Sequence, residues 1–157
     1  MTTAADLWHN HSTRTDRCLV HGTAVALNGW GALLLGPSGV GKSHLALQLM
    51  AMGCVLISDD RVWVHPVDAG LTLTTPNAVA GLIEMWGMGI LKVPHMPSVP
   101  LSFAVDMSKD GETRCPVLQK YYIFNHSVIC VPAPPPDRRA TQLYHLLNHG
   151  PSALITR

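Results

Sequence analysis

Eight consecutive residues, Gly36-Pro37-Ser38-Gly39-Val40-Gly41-Lys42-Ser43, follow the pattern G-x-x-x-x-G-K-S. The pattern suits a phosphate group. Three glycines remove Cβ atoms where successive backbone N–H groups must curl around an anion. Lys42 adds a charge that reaches terminal phosphates, and the Ser43 hydroxyl suits Mg²⁺. An acidic pair, Asp59-Asp60, follows Lys42 by about 17 residues. Adjacent carboxylates permit a division of labour, one ligating a metal and the other taking a proton from an attacking hydroxyl. Nucleotide binding with phosphoryl transfer is the chemistry these residue types allow.

Those residues need elements to position them. The run Cys18 to Leu27, the turn signal Asn28-Gly29 and the run Trp30 to Leu35 predict a hairpin that delivers the chain into the glycine-rich segment. Leu45, Leu49 and Met52 then recur on one helical face, and Gly53 supplies the stop. Strand, loop and helix in that order are the context a phosphate loop requires. The following apolar run, CVLIS, predicts a buried strand ending on Asp59 and Asp60, which brings both carboxylates beside the loop.

Further along, Arg61 to His65 and Leu71 to Thr75 read as a second hairpin around Val67 to Gly70. Gly81 to Val93, carrying Glu84, has no clean period. Val99 to Met107 and Tyr121 to Val131 read as later strands separated by a polar loop from Ser108 to Pro116. After the break at Pro132 to Pro136, a helix is expected from about Asp137, its N-cap, to Gly150, with Ala140, Leu143, Leu146 and Leu147 on one stripe. Together these elements predict an α/β fold with a mixed β-sheet.

The bulk composition narrows the function classes. A chain of 157 residues that is 47% hydrophobic and 13% charged can bury a core, and residues 1–157 are expected to form one domain with a flexible arm over 1–16. Lys plus Arg number 11 and Asp plus Glu 10, so no overall field attracts nucleic acid or an anionic membrane. Phosphate binding then has to be local. Cys18, Cys54, Cys115 and Cys130 form no CxxC pair, and the N-terminus has no basic start followed by an apolar core, so reduced thiols and a cytoplasmic location are expected. Two histidines, His9 and His11, lie on the expected arm and read as tail rather than metal site.

Read in order, His21-Gly22-Thr23, GPSGVGKS, Ile57-Ser58-Asp59-Asp60 and GLIEMWGMGI from Gly81 to Ile90 resemble the successive motifs of HPr kinase/phosphorylase. Beyond residue 90, Val105-Asp106 and the helix after the prolines are similar to the short, single-domain members of that family. The resemblance implies a phosphoenolpyruvate-carboxykinase-like P-loop fold. It also implies an ATP- and Mg²⁺-dependent protein serine kinase acting on an HPr-like phosphocarrier of the phosphotransferase system, in many members also a phosphorylase. Carried over by position, Asp59 is the general base, Lys42 serves the phosphates and His21 sits near them. Ser43, Asp60 and Glu84 are the implied metal ligands.

Two positions depart from the family pattern. His44 stands where an acidic residue is usual, and Trp86 where an arginine is usual. An arginine there steadies phosphoryl charge, so its loss bears on rate and on the phosphorylase direction. The alternatives are a kinase of the same fold with another substrate and a nucleotide-binding regulatory protein. Acceptor identity and homo-oligomerisation are not encoded in these motifs.

Overall fold

The computed structural model describes residues 16–110 and 118–155. Among these described residues, ten strands and two α-helices follow one another: β1 (Cys18–Leu27), β2 (Trp30–Leu35), α1 (Lys42–Ala51), β3 (Val55–Ser58), β4 (Arg61–Val67), β5 (Gly70–Thr74), β6 (Leu82–Met85), β7 (Gly89–Lys92), β8 (Ser98–Asp110), β9 (Gln119–Ile123), β10 (His126–Ala133) and α2 (Arg139–His149). Single 3₁₀ turns occupy Asn77–Val79 and Pro151–Ala153. The fold is the mixed α/β arrangement that the sequence predicts.

Eight strands form one hydrogen-bonded network in the order β2-β1-β4-β5-β8-β10-β9, with β3 on β1 and β2 also on β8. The network folds into two layers because β1 and β8 each change partners along their length. The first residues of β1, Cys18 to His21, pair with β4, whereas Gly22 to Leu27 pair with β2. Likewise β8 pairs with β5 through Ser98 to Pro100 and runs parallel to β2 from Leu101 onward. The β2–β8 and β8–β10 pairs are parallel and the others antiparallel.

Strand alternation then divides the core. On β2, Leu33 and Leu35 face the cluster that includes Val62, Val64 and Leu73, while Ala32 and Leu34 face the one that includes Leu45 and Leu49 of α1 and Leu143 and Leu147 of α2. A strand buried on both faces reads as a continuous apolar run, which is why Gly31 to Leu35 carry no polar residue. Cys18, Cys54 and Cys130 are buried thiols in these clusters, and burial raises the Cys54 pKa to about 11.

Several boundaries differ from the sequence reading. The run Tyr121 to Val131 is two strands, because Phe124 (φ 50°) and Asn125 (φ 63°) make a left-handed two-residue turn between β9 and β10. Phenylalanine gives no turn signal, so the break is invisible in composition. Strand β8 continues past Met107 to Asp110, where it pairs with Ala133 of β10. Gly81 to Val93 is a ribbon, β6 paired antiparallel with β7, separate from the large network. Arg138, not Asp137, is the N-cap of α2, and Asp137 turns to the Arg138 guanidinium instead. The arm with His9 and His11, and Cys115, lie outside the described residues. No described helix is long and apolar enough to cross a membrane.

Candidate functional site

Strand β2 ends at Leu35 and the glycine-rich loop fills the gap to α1. Gly36 is required by crowding: a Cβ there would lie 2.9 Å from Met107 Cβ and 2.9 Å from Val40 Cγ1. Gly41, at φ 103°, turns the chain into α1 through a conformation that L side chains rarely adopt. No side chain caps α1 and its first turn holds no acidic residue, so its first N–H groups and positive dipole end are left for an anion.

The Lys42 ammonium folds back over this loop. It donates to Gly36 O at 2.7 Å and to Pro37 O at 3.0 Å, and the residue is only 7% exposed. Burial holds its pKa below 10.5, against the raising influence of Asp59 and Asp60. The lysine is thus already dehydrated and aimed at the loop's interior.

The acidic pair arrives at the C-terminal end of β3. Strands β2 and β3 both run antiparallel to β1, so they are parallel to each other and end on the same side of the sheet. Asp59, 6% exposed, accepts from three donors: Thr23 Oγ1 at 2.8 Å and Ser43 Oγ at 2.7 Å on Oδ1, and the Glu84 backbone N–H at 3.1 Å on Oδ2. Asp60 faces the other way. Its side chain is 53% exposed, with Oδ1 3.6 Å from His21 Nδ1 and Oδ2 3.5 Å from Arg61 Nε. The backbone of Asp60 is left-handed (φ 74°), a conformation that costs a non-glycine residue on the order of 1–3 kcal/mol, and the Gly22 N–H pins it by donating to Asp60 O at 3.1 Å.

Strand β1 therefore reads the acidic pair with three consecutive residues. The His21 ring faces Asp60, the Gly22 N–H holds the Asp60 carbonyl, and the Thr23 hydroxyl holds Asp59. A side chain at Gly22 is excluded, because its Cβ would sit 2.8 Å from Leu34 O. His21 Nε2 also lies 3.4 Å from Ser38 Oγ, linking the acidic pair to the glycine-rich loop.

A cavity of about 890 Å³ opens over these groups, within the range of about 300–1,000 Å³ usual for small-ligand sites. Of the residues singled out from sequence, His21, Ser38, Gly39, Gly41, Lys42, Ser43, Asp59, Asp60 and Glu84 line it. Gly36, Pro37 and Val40 do not; Gly36 and Pro37 support it through their carbonyls. Two further walls include His44 and Trp86, which the sequence singled out as departures from the family pattern, and Leu47, Leu82 and Ile90, which it did not single out as site residues. His44 and Leu47 come from α1, and Leu82, Trp86 and Ile90 come from the β6–β7 ribbon.

Ser43, Asp60 and Glu84, the metal ligands implied by the resemblance, all line the cavity. The Ser43 hydroxyl donates to Asp59, while the Asp60 carboxylate, on a left-handed backbone, lies beside His21 and Arg61. Among the described residues, no group of three or more His, Cys, Asp or Glu side chains is placed to hold a metal. Thr23, a third anchor of Asp59, was visible in sequence only as part of the His21-Gly22-Thr23 motif.

Comparison with known proteins bears on the family and the fold. Residues 13–98 match the family described as HPr Serine kinase C-terminal domain. HPr kinase/phosphorylase of Caldicellulosiruptor bescii is 39% identical over 114 residues, 72% of this chain and 34% of the relative. That of Clostridium novyi is 40% identical over 77 residues, 49% of this chain and 25% of the relative. The aligned part thus spans a quarter to a third of those relatives' length. In fold, the chain is similar to the Hpr(Ser) kinase/phosphatase structure from Coxiella burnetii, with a TM-score of 0.71 and 19% identity, covering 83% of this chain and 94% of that one. The match over more than half of its residues makes this chain a member of the HPr Serine kinase C-terminal domain family.

Proposed function

We propose that this chain is a cytoplasmic protein serine kinase that uses ATP with Mg²⁺ to phosphorylate an HPr-like phosphocarrier. The observation that carries the reading is the convergence of the Lys42 ammonium, the Ser43–Asp59 pair and the exposed Asp60 carboxylate on one cavity. The names of the relatives, HPr kinase/phosphorylase, point to the same reaction.

The hydroxyl and carboxylate oxygens at Ser43, Asp59 and Glu84 are hard donors, and they fit Mg²⁺, which needs only one or two protein ligands beside substrate phosphates. Bound there, the cation would neutralise charge on the transferring phosphoryl group. The chain's own residues divide the remaining work. Loop N–H groups and Lys42 grip the phosphates, which must draw the ammonium away from the Gly36 and Pro37 carbonyls.

We assign the general base to Asp60 rather than Asp59, revising the expectation from sequence. Asp59 is buried and fixed by three protein donors, which suits it to a metal ligand more than to a group that an incoming hydroxyl must approach. Asp60 is the exposed carboxylate, and a base must lie within hydrogen-bond reach of the incoming hydroxyl. His21, between Asp60 and Ser38, orients that carboxylate toward the loop. Incubation of the pure chain with labelled ATP, Mg²⁺ and a serine-bearing phosphocarrier should give an acid-stable phosphoserine. A phosphocarrier that stays unlabelled while ATP is bound would overturn the reading in favour of a regulatory nucleotide-binding domain.

A further inference from the structure

The β6–β7 ribbon exposes apolar side chains at the mouth of the cavity. Directly opposed residues in a two-stranded ribbon share a face. The pairs Leu82–Lys92 and Glu84–Ile90 therefore lie on one face, and the pair Ile83–Leu91 on the other. Ile83 is fully buried in the cluster beneath α1, so the Ile83 face holds the ribbon to the domain. On the outer face Ile90 is 66% exposed, and in the turn Trp86 is 94% and Met88 82% exposed. Single exposed apolar residues are ordinary, but a cluster containing tryptophan on one small ribbon marks a contact surface.

The cavity limits what can occupy that surface. Leu82, Trp86 and Ile90 line the same cavity as Asp60 and Lys42, so the apolar surface and the reactive groups share one mouth. A partner seated there permanently, a second copy included, would cap the cavity and stop nucleotide exchange. A nucleobase inside the cavity would leave Met88 uncovered, because Met88 lies outside the lining. What remains is a macromolecule that arrives and leaves with each turnover and must place a hydroxyl beside Asp60.

We propose that the turn and outer face of the ribbon, with Trp86, Met88 and Ile90, form the docking surface for the protein acceptor, and that it selects acceptors whose target serine is flanked by bulky apolar side chains. The inference rests on the kinase reading above, and it adds the surface and the chemistry of recognition. Met88 gives the surface a flexible, polarizable contact that adapts to the partner, and Trp86 gives it a large rigid one.

The test uses Met88→Ser, outside the cavity lining, together with Trp86→Ala and Ile90→Ser on its wall, all at exposed positions where folding should be unaffected, with a serine-bearing phosphocarrier as acceptor. Acceptor KM and calorimetric acceptor affinity should both weaken by about tenfold or more in the Trp86→Ala and Ile90→Ser double variant and in the same direction in Met88→Ser, while the ATP affinity of Met88→Ser stays within about twofold and the sedimentation coefficient is unchanged. Replacing the apolar neighbours of the acceptor serine with serine should weaken wild-type binding similarly and have little further effect on the double variant. Loss of ATP affinity in Met88→Ser would assign the ribbon to the nucleotide, and a shift in sedimentation would assign it to a second copy. Acceptor affinity equal in variants and wild type would reject docking here while leaving the kinase reading intact. A wild-type protein that binds ATP but neither binds nor labels the phosphocarrier would reject both.

Discussion

The Ser43 hydroxyl donates to Asp59 Oδ1 at 2.7 Å, and this one contact ties the glycine-rich loop to the end of β3. Thr23 donates to the same oxygen at 2.8 Å, so Asp59 is fixed from α1 and β1 together. Asp60, one residue on, is half-exposed between His21 and Arg61 and lines the same cavity. Two adjacent residues of one type thereby stand in different surroundings.

Amide substitutions should separate them. In Asp59→Asn one terminal atom becomes an NH₂ group. If the amide oxygen keeps the Ser43 and Thr23 bonds, the NH₂ confronts the Glu84 N–H, donor against donor. Leaving such a half-buried donor unsatisfied costs up to about 1 kcal/mol, the low end of the range for a buried one, so Asp59→Asn should melt lower and lose Mg²⁺-dependent nucleotide affinity. Asp60→Asn should change stability by no more than about 0.5 kcal/mol, since the site is exposed and asparagine tolerates the left-handed backbone. It should still bind ATP while transfer falls by a factor on the order of 10² to 10⁴. Transfer that survives in Asp60→Asn and disappears in Asp59→Asn, with binding intact in both, would restore the base to Asp59.

Lys42 should be needed for binding and dispensable for folding. Lys42→Ala removes a buried charge and frees the Gly36 and Pro37 carbonyls to water, so the protein should fold and lose most of its ATP affinity. In the nucleotide-free protein, NMR titration of the Lys42 ¹³Cε signal should give a midpoint below 10.5, as burial dictates. The sign for stability follows. A base with a lowered folded pKa opposes folding below that pKa, and the penalty disappears as pH rises through it to the unfolded value. A Lys42 midpoint at or above 10.5 would mean that the ammonium is not dehydrated in the loop.

Most of this site was legible because each part has its own local signal. The glycine-rich loop has fixed spacing, the strand before it is apolar on both faces, and the acidic pair ends an apolar run. The direction each carboxylate faces was not legible. It depends on the left-handed turn at Asp60 and on a Gly22 N–H more than thirty positions away in sequence, and no residue type announces either. The β6–β7 ribbon was obscure for another reason. Alternation marks a strand only when its outer face is polar, and here that face carries Leu82 and Ile90.

Acid should weaken the fold through His65. Its ring bonds with Thr74 on the neighbouring strand, and burial, then the Arg17 guanidinium, lowers its pKa below 6.5 against the opposing pull of Asp16. The unfolded chain then takes up the proton first. His65 contributes nothing unfavourable above about pH 6.5, and stability falls as pH drops from there through the lowered folded value. Chemical denaturation at pH 7.5 and 5.0 should show a smaller loss for His65→Gln than for wild type. Equal losses in the two proteins would place the acid sensitivity elsewhere.

Trp86→Arg restores the residue type usual at this position in the family and tests two effects at once. With 94% of its surface in water, Trp86 is not a packing residue covering the glycine-rich segment, so the substitution should shift Tm by no more than about 1–2 °C. A guanidinium at the cavity wall would stabilise phosphoryl charge only as transfer proceeds, which raises kcat with little change in ATP affinity. Removing the indole takes away an apolar contact to the acceptor, which raises acceptor KM. The expected signature is therefore kcat and acceptor KM rising together. A faster kcat with unchanged acceptor KM would leave the charge argument standing and remove Trp86 from the docking surface. A drop of several degrees in Tm without faster transfer would show that the indole is packed after all.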